Sequence, residues 1–481
     1  MDAKYIILTV IMLTTLLVYR LSSQNLPTFV RNPTQNPIIL IPGLGGSNIF
    51  AVWDLPRKSS INFPYKSREL AQIWADPWFV TGADNFGAQS KYLLEIDMDP
   101  VTISYRDREG VSTTAWRSQK DFGSLESVRG IGKLKLPVKI HGVMSGSQIR
   151  GREYARPQFN SLIKFLETNG YTEKLDLFGA PYDWRKIADD SYSTLYYNKL
   201  KILIENAYSV AGKKVCIVSH SLGGIIFHRF LTEWLVNNGV NRAWKNKYIS
   251  SWIPVNVPHG GSPLTLKAAI SGVDIGGGSN ASLLKKQLPV VSKSGGLHLS
   301  FPNPELFKNV PVVIHKGLSM SDPLEIMQSN HRLSLIEPFY RALIRPYHTT
   351  RQLMPPGVRV HSFSSSCKPT ILSSIYEDWE SDPTHLKEDS KVAQKLPRNY
   401  IQEAILNNEE SPHIGDGTVP YISQMVPVLW KRGGVMENAD SNSMNIPVTI
   451  DRFSGDENDC GHTSLLSNPL LHKKLFAYTQ M

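Results

Sequence analysis

Cysteine is scarce: among 481 residues there are three, Cys216, Cys367 and Cys460. That number, without paired-ligand spacing, excludes a disulfide-stapled scaffold and a cysteine-based zinc site. Cys216 lies inside an apolar run and reads as a small buried residue. Cys367 and Cys460 remain able to pair in an oxidising compartment. No internal repeat, low-complexity tract or Gly/Ser linker occurs, which excludes a solenoid and a string of modules and leaves one decorated domain. The net charge is +10, but the basic residues are scattered and no zinc-finger spacing or RNA-binding aromatic signature accompanies them. Nucleic acid is therefore not expected as a partner, whereas an anionic membrane surface is compatible with the charge. Apart from Tyr5 to Tyr19, flanked by Lys4 and Arg20, there is no long apolar run. That segment falls short of the ~20 residues of a comfortable span and suits a signal peptide or an uncleaved signal anchor over residues 1–24. The body, residues 25–481, is then expected on the secretory route, with Asn280-Ala281-Ser282 as a glycosylation triplet.

With 41% hydrophobic and 20% charged residues, the body has ample material for a core. Short apolar runs at Pro37 to Ile41, Leu175 to Phe178, Val215 to Val218, Trp252 to Val255, Val358 to Phe363 and Val448 to Phe453 predict strands. Helical patterns at Phe159 to Leu166, Tyr192 to Tyr208 and from Leu222 alternate with them. Leu222, Ile226, Phe230 and Trp234 recur every four residues and mark a buried helix face. This alternation predicts an α/β fold with a parallel sheet covered by helices on both faces. Residues 50–150, rich in Trp, Pro and Gly, read as surface excursions. About 262–350 reads as a mixed insertion.

The chemistry starts at "VSHSLGG", residues 218–224. Strand, sharp turn and helix with Ser221 at the tip form the pattern of a nucleophile elbow. The positions two before and two after the serine must be small; they are Ser219, where glycine is usual, and Gly223. A serine of ordinary pKa needs a base and an orienting carboxylate, which in this pattern follow in the order acid, then histidine. Asp416, in "GDGTVP", is the expected acid. His462, nine residues past the last predicted strand, is the expected base. His220 is expected to point away from the nucleophile, His472 to be a solvated surface residue, and His413 precedes the acid. The Gly-rich "IPGLGGS" (41–47) after the first strand predicts an oxyanion hole from the Leu44 and Leu222 amides. Asp183 and Arg185 of "YDWR" read as a pair that holds a loop together. Trp74, Trp78, Phe79 and Phe86, without strand or helix periodicity, read as a patch meeting lipid.

The segments "PIILIPGLGGS" (37–47), "GAPYDWR" (179–185), "VSHSLGG" (218–224), "FPNPELF" (301–307), "GDGTVP" (415–420) and "GHTSLL" (461–466) resemble, in order, those of the lecithin:cholesterol acyltransferase family. That family includes lysosomal phospholipase A2 and phospholipid:diacylglycerol acyltransferases. The resemblance covers roughly 37–478. It implies an α/β-hydrolase fold with a lid and membrane-binding excursions at about 50–150 and a cap at about 262–350. It also implies the triad Ser221, Asp416 and His462, with Leu44 and Leu222 as oxyanion donors. Two departures stand out. Animal members close the early lid region with a disulfide, but residues 50–150 here hold no cysteine. Animal members have Gly-Ala-Pro-Trp-Gly-Gly near the acyl site, where this chain has Asn256 to Gly261 with His259 in place of tryptophan. The expectation is a lipid acyltransferase or phospholipase A, with no metal or organic cofactor, acting at a phospholipid surface on a lipid acyl acceptor or water.

Overall fold

The computed structural model describes residues 35–55, 66–67, 69–74, 92–118, 121–131, 156–272, 289–406, 414–431, 446–455 and 460–481. The predicted leader, Trp78, Phe79, Phe86, the Asn280 triplet and His413 lie outside these residues.

Six strands make the central sheet: β1 (Ile38–Ile41), β2 (Leu177–Gly179), β3 (Val215–His220), β4 (Ile249–Val255), β5 (Val360–Ser366) and β6 (Val448–Ser454). Their spatial order is β2-β1-β3-β4-β5-β6, and every pairing is parallel. Both faces are covered, as their continuous apolar runs require. Ile39, Ile41 and Ile217 pack into one core, while Ile38, Leu40, Cys216 and Val218 pack into the other. This is the period-2 alternation of a strand buried on both sides. The chain leaves β1 to form β2 on one side and then crosses to β3 on the other. The strand order therefore reverses at β1, and a crevice opens beyond the carboxyl ends of β1 and β3.

Helices α1 (Asn160–Thr168), α2 (Asp190–Ala211), α3 (Leu222–Arg229) and α4 (Pro469–Thr479) flank the sheet. Asp189 caps α2 by accepting from the Tyr192 amide, and Gly212 ends it in a left-handed conformation. All eight residues of α3 are buried. Beyond it the helix widens into a π-turn at Phe230–Trp234, a feature that apolar periodicity does not reveal.

The segment read as surface excursions is more deeply integrated than that. Ile49–Trp53 pairs antiparallel with Ala71–Trp74 and Val111–Thr114, and Ile49, Phe50, Ala51 and Ile73 are fully buried. The strands are short and irregular in sequence, so composition masks them. The Asp183–Arg185 pair cements this sheet to the body. Both side chains are fully buried, with Arg185 Nη2 2.6 Å from Asp183 Oδ2. Arg185 also donates to the Leu94 carbonyl and the Thr113 hydroxyl. Burial opposes the Asp183 charge, but Arg185 and Lys186 outweigh it and hold the carboxyl at about 2. The loop-holding role expected for this pair is what its contacts describe.

The insertion after β4 is fastened by three buried histidines. His298 Nδ1 meets the Tyr105 hydroxyl at 2.8 Å, His228 Nδ1 the Tyr347 hydroxyl at 2.9 Å, and His348 Nδ1 the Tyr340 hydroxyl at 3.2 Å. In each ring Nε2 faces a backbone carbonyl: Ser292, Met354 and Leu299 respectively. A carbonyl accepts only, so each ring is a neutral Nε2–H tautomer that takes the tyrosine proton at Nδ1.

Candidate active site

The register of β1 and β3 sets Ile41 opposite Ser219, so the loop after β1 runs beside the turn after β3. Ser221 has φ 53° and ψ −129°, a strained conformation for a residue with a Cβ. Its amide donates to the Val255 carbonyl at 3.1 Å, and its carbonyl accepts from Gly224 at 2.9 Å. Gly223 is obligatory here. A Cβ would sit 2.4 Å from the Pro42 carbonyl and 2.5 Å from that of Ile41, both backbone. Gly43 is equally constrained, since its Cβ would approach Ser221 Cβ to 2.9 Å. Ser219, the departure from glycine, is completely buried and accepts from the Trp252 indole at 2.8 Å. Serine fits because its hydroxyl has that donor.

Three side chains from distant parts of the chain meet at this rim. The Ser221 hydroxyl is 2.8 Å from His462 Nε2, and His462 Nδ1 is 2.7 Å from Asp416 Oδ2. Asp416 is buried; its other oxygen accepts from the amides of Thr418 at 2.9 Å and Val419 at 2.7 Å. With one oxygen occupied by the loop's own backbone, the second is fixed toward the imidazole. Nδ1–H donates to the carboxylate, which leaves Nε2 free to accept the serine proton.

The base and acid loops are tied to each other and to the sheet. The His462 amide donates to the Asp416 carbonyl at 3.0 Å. A disulfide joins Cys367, at the end of β5, to Cys460, two residues before the base. Cys367 and Lys368 both donate to the Gly415 carbonyl. The bond therefore links the two loops at their roots. His220 does not point away, as expected from the elbow. Its Nε2–H donates to the His462 carbonyl at 2.9 Å, and the rings lie 5.0 Å apart. Burial, with His462 nearby, pushes its imidazole down to about 3, so it holds the base as a neutral donor. Asn256, with φ 47°, donates to the same carbonyl at 3.2 Å.

Sequence reasoning missed Glu388. Its two oxygens accept from the amides of Gly415 at 2.7 Å and Tyr421 at 2.8 Å, one at each end of the acid loop. Burial, with Asp416 and Asp389 nearby, pushes its carboxyl well above the usual range. No motif announces it, because it lies 28 residues before the acid in an unremarkable sequence context.

The Leu44 amide makes no turn or loop backbone hydrogen bond among the described residues, and Leu222 is the first residue of α3, where amides lack an intrahelical partner. The loop carrying Leu44 is braced by the Tyr182 hydroxyl on the Pro42 carbonyl at 2.8 Å and the Trp74 indole on the Gly45 carbonyl at 2.7 Å. Leu222 opens α3, whose N-terminal dipole favours negative charge at that point. Trp74 thus corrects one expectation. It is 5% exposed and packs tilted against Trp184, ring centres 5.1 Å apart, so it supports the loop and does not face lipid. His259 is likewise buried, 4.9 Å from the Trp430 ring and 5.6 Å from Trp252, with no hydrogen bond to the three central side chains. His472 is not a solvated surface residue. It is buried, meets the Leu466 carbonyl at 2.8 Å and packs on Phe165.

A family model described as lecithin:cholesterol acyltransferase matches residues 142–295, a span that holds β2, β3, the elbow and β4. The phosphatidylcholine-sterol acyltransferase of Mus musculus is 24% identical over 348 residues, 71% of this chain and 70% of that protein. The lysosomal phospholipase A and acyltransferase of Homo sapiens is 25% identical over 354 residues, 72% and 76% of the two chains. Its Canis lupus familiaris counterpart reaches 34%, over 114 residues that make up 24% of this chain and 26% of that protein. With a parallel sheet that reverses order beside a serine elbow, the chain has an α/β-hydrolase fold and is similar to the lecithin:cholesterol acyltransferase family.

Proposed function

We propose that this enzyme cleaves an acyl ester of a glycerophospholipid through a Ser221 acyl-enzyme and passes the acyl chain to an alcohol or to water. The observation that carries the reading is the hydrogen-bonded run from Ser221 through His462 to Asp416. His462 takes the serine proton as Oγ attacks the ester carbonyl. The tetrahedral oxyanion is held by the Leu44 and Leu222 amides. His462 then returns the proton to the leaving lysophospholipid oxygen. In the second half-reaction His462 takes a proton from the acceptor hydroxyl, which attacks the acyl carbon and frees Ser221.

The names of the relatives include both a sterol acyltransferase and a phospholipase A that is also an acyltransferase. An alcohol acceptor and water therefore both belong to the proposal. Substrate is drawn from a bilayer or lipoprotein-like surface, favoured by the +10 charge, with Trp78 and Phe79 in contact with lipid. His259 takes part indirectly, through the aromatic cluster that follows β4. The Cys367–Cys460 bond supports folding in a disulfide-forming compartment of the secretory route.

A fluorophosphonate probe and labelled phosphatidylcholine test the reading. The wild type is expected to bind the probe covalently and Ser221→Ala is not. Equal labelling of both refutes the mechanism. With sterol or diacylglycerol present, labelled ester product identifies the acceptor; free fatty acid alone, under every acceptor, refutes the transferase half.

A further inference from the structure

Behind the nucleophile helix, away from Ser221, Asp416 and His462, lies a cavity of about 520 Å³, within the size range of small-molecule sites. One wall is Leu231 of the π-turn, with Val240 beyond it. Met354, which follows the last helix of the insertion, also lines it. Two cations, Lys245 and Arg351, also line it beside Arg242, and among the described residues no Asp or Glu does. The Lys245 ammonium has three protons to donate. Its acceptor among the described residues is the Pro356 carbonyl, at 3.0 Å. Burial, with Arg242 adding to it, pushes Lys245 down to about 8. Lys245 and Arg351 have no carboxylate partner among the described residues, so an anion arriving from outside would stabilise them, and a guanidinium suits a planar or phosphate oxyanion.

We propose that this cavity binds an amphiphilic oxyanion, a carboxylate or phosphate carried on an apolar chain, with the head on Lys245 and Arg351 and the chain against Leu231, Val240 and Met354. The two halves of the lining match the two halves of such a molecule. Cation without apolar wall would suit free phosphate, and apolar wall without cation would suit a neutral lipid. The site is separate from the acyl-transfer centre and does not depend on that reading. Its wall is nevertheless coupled to the nucleophile helix. His228 of α3 donates to the Met354 carbonyl at 2.8 Å, and Thr232 bonds back to the His228 carbonyl at 2.9 Å. Occupancy would therefore press on the helix that carries Ser221 at its start.

Calorimetry on the full chain at pH 7 tests this, with four titrants held below their micelle concentrations: decanoate, decyl phosphate, inorganic phosphate and decyl maltoside. At least one of the first two is expected to fill a single site roughly 10-fold or more tighter than either of the last two. The tighter of decanoate and decyl phosphate names the head group. Lys245→Met is expected to weaken that binding roughly 10-fold or more, and Arg351→Gln to weaken it as well. Lys245→Arg is expected to preserve it, and its melting temperature shows that the position tolerates change. The proposal is overturned if neither charged amphiphile binds saturably, if inorganic phosphate or the maltoside binds as tightly, or if Lys245→Met binds like the wild type.

Discussion

Lowering the pH from 7.5 to 5 should strip this protein of a large part of its stability, through the buried histidines that fasten the insertion. Burial pushes His228, His298 and His348 each down to about 4 from an ordinary 6.5. In the unfolded chain these rings protonate freely below 6.5, while the fold resists until about 4. A folded pKa below the unfolded one means that the contribution is complete above 6.5 and is lost as the pH falls toward 4. At pH 5 each ring has lost about 1.5 pH units of that resistance, or ~2 kcal/mol at 1.36 kcal/mol per unit. Three rings sum to ~6 kcal/mol, which water entry and local relaxation discount to ~3 kcal/mol. Typical total stabilities are about 5–15 kcal/mol, so the loss is substantial. Glu388 acts in the opposite direction. Its raised carboxyl contributes stability below its ordinary 4.5 that is lost as the pH rises through its folded value, but it is one group against several histidines. Asp183, held at about 2, contributes nothing to the change above pH 5. Urea unfolding at intervals of half a pH unit measures the slope. His298→Gln keeps a donor for the Ser292 carbonyl and an acceptor for Tyr105 but cannot titrate, and should remove that ring's share, ~1 kcal/mol, of the acid-side loss. Constant stability between pH 7.5 and 5, or a variant with the full slope, refutes the reasoning.

Three further outcomes follow from the site. Asp416→Asn keeps an oxygen for the Thr418 and Val419 amides but turns an N–H toward His462, selecting the wrong tautomer; kcat on a soluble ester should fall ~10⁴-fold with the fold intact, as checked by circular dichroism. Glu388→Gln leaves one of two buried amides facing a donor, which should cost about 1–3 kcal/mol and lower kcat more than it raises KM; an unchanged kcat with the melting temperature preserved would remove Glu388 from the positioning role. Reducing Cys367–Cys460, or replacing both with serine, frees a loop spanning 93 residues of separation and should destabilise by about 2–5 kcal/mol, with kcat falling before global unfolding because the acid and base loops share that tether.

Residue type and order alone determined the alternating strands and helices, the elbow with Ser221 at its tip, and the candidates Asp416 and His462. Each rests on local signals: period-2 runs, small residues around a strained turn, and glycines flanking a carboxylate. Those signals survive in one dimension because they are imposed by the backbone within a few residues. What only the tertiary structure decided is everything set by packing between distant segments. Trp74 reads as an exposed aromatic until the strand pairing buries it under the Gly45 carbonyl. His220 reads as pointing away until the base loop returns, 242 residues later, to accept its proton. Glu388 carries no signature because its partners are backbone amides, which look alike in every sequence. Burial follows from which surfaces meet, and for the buried histidines and Glu388 it is burial that shifts the charge. No stretch of sequence, read alone, contains that information.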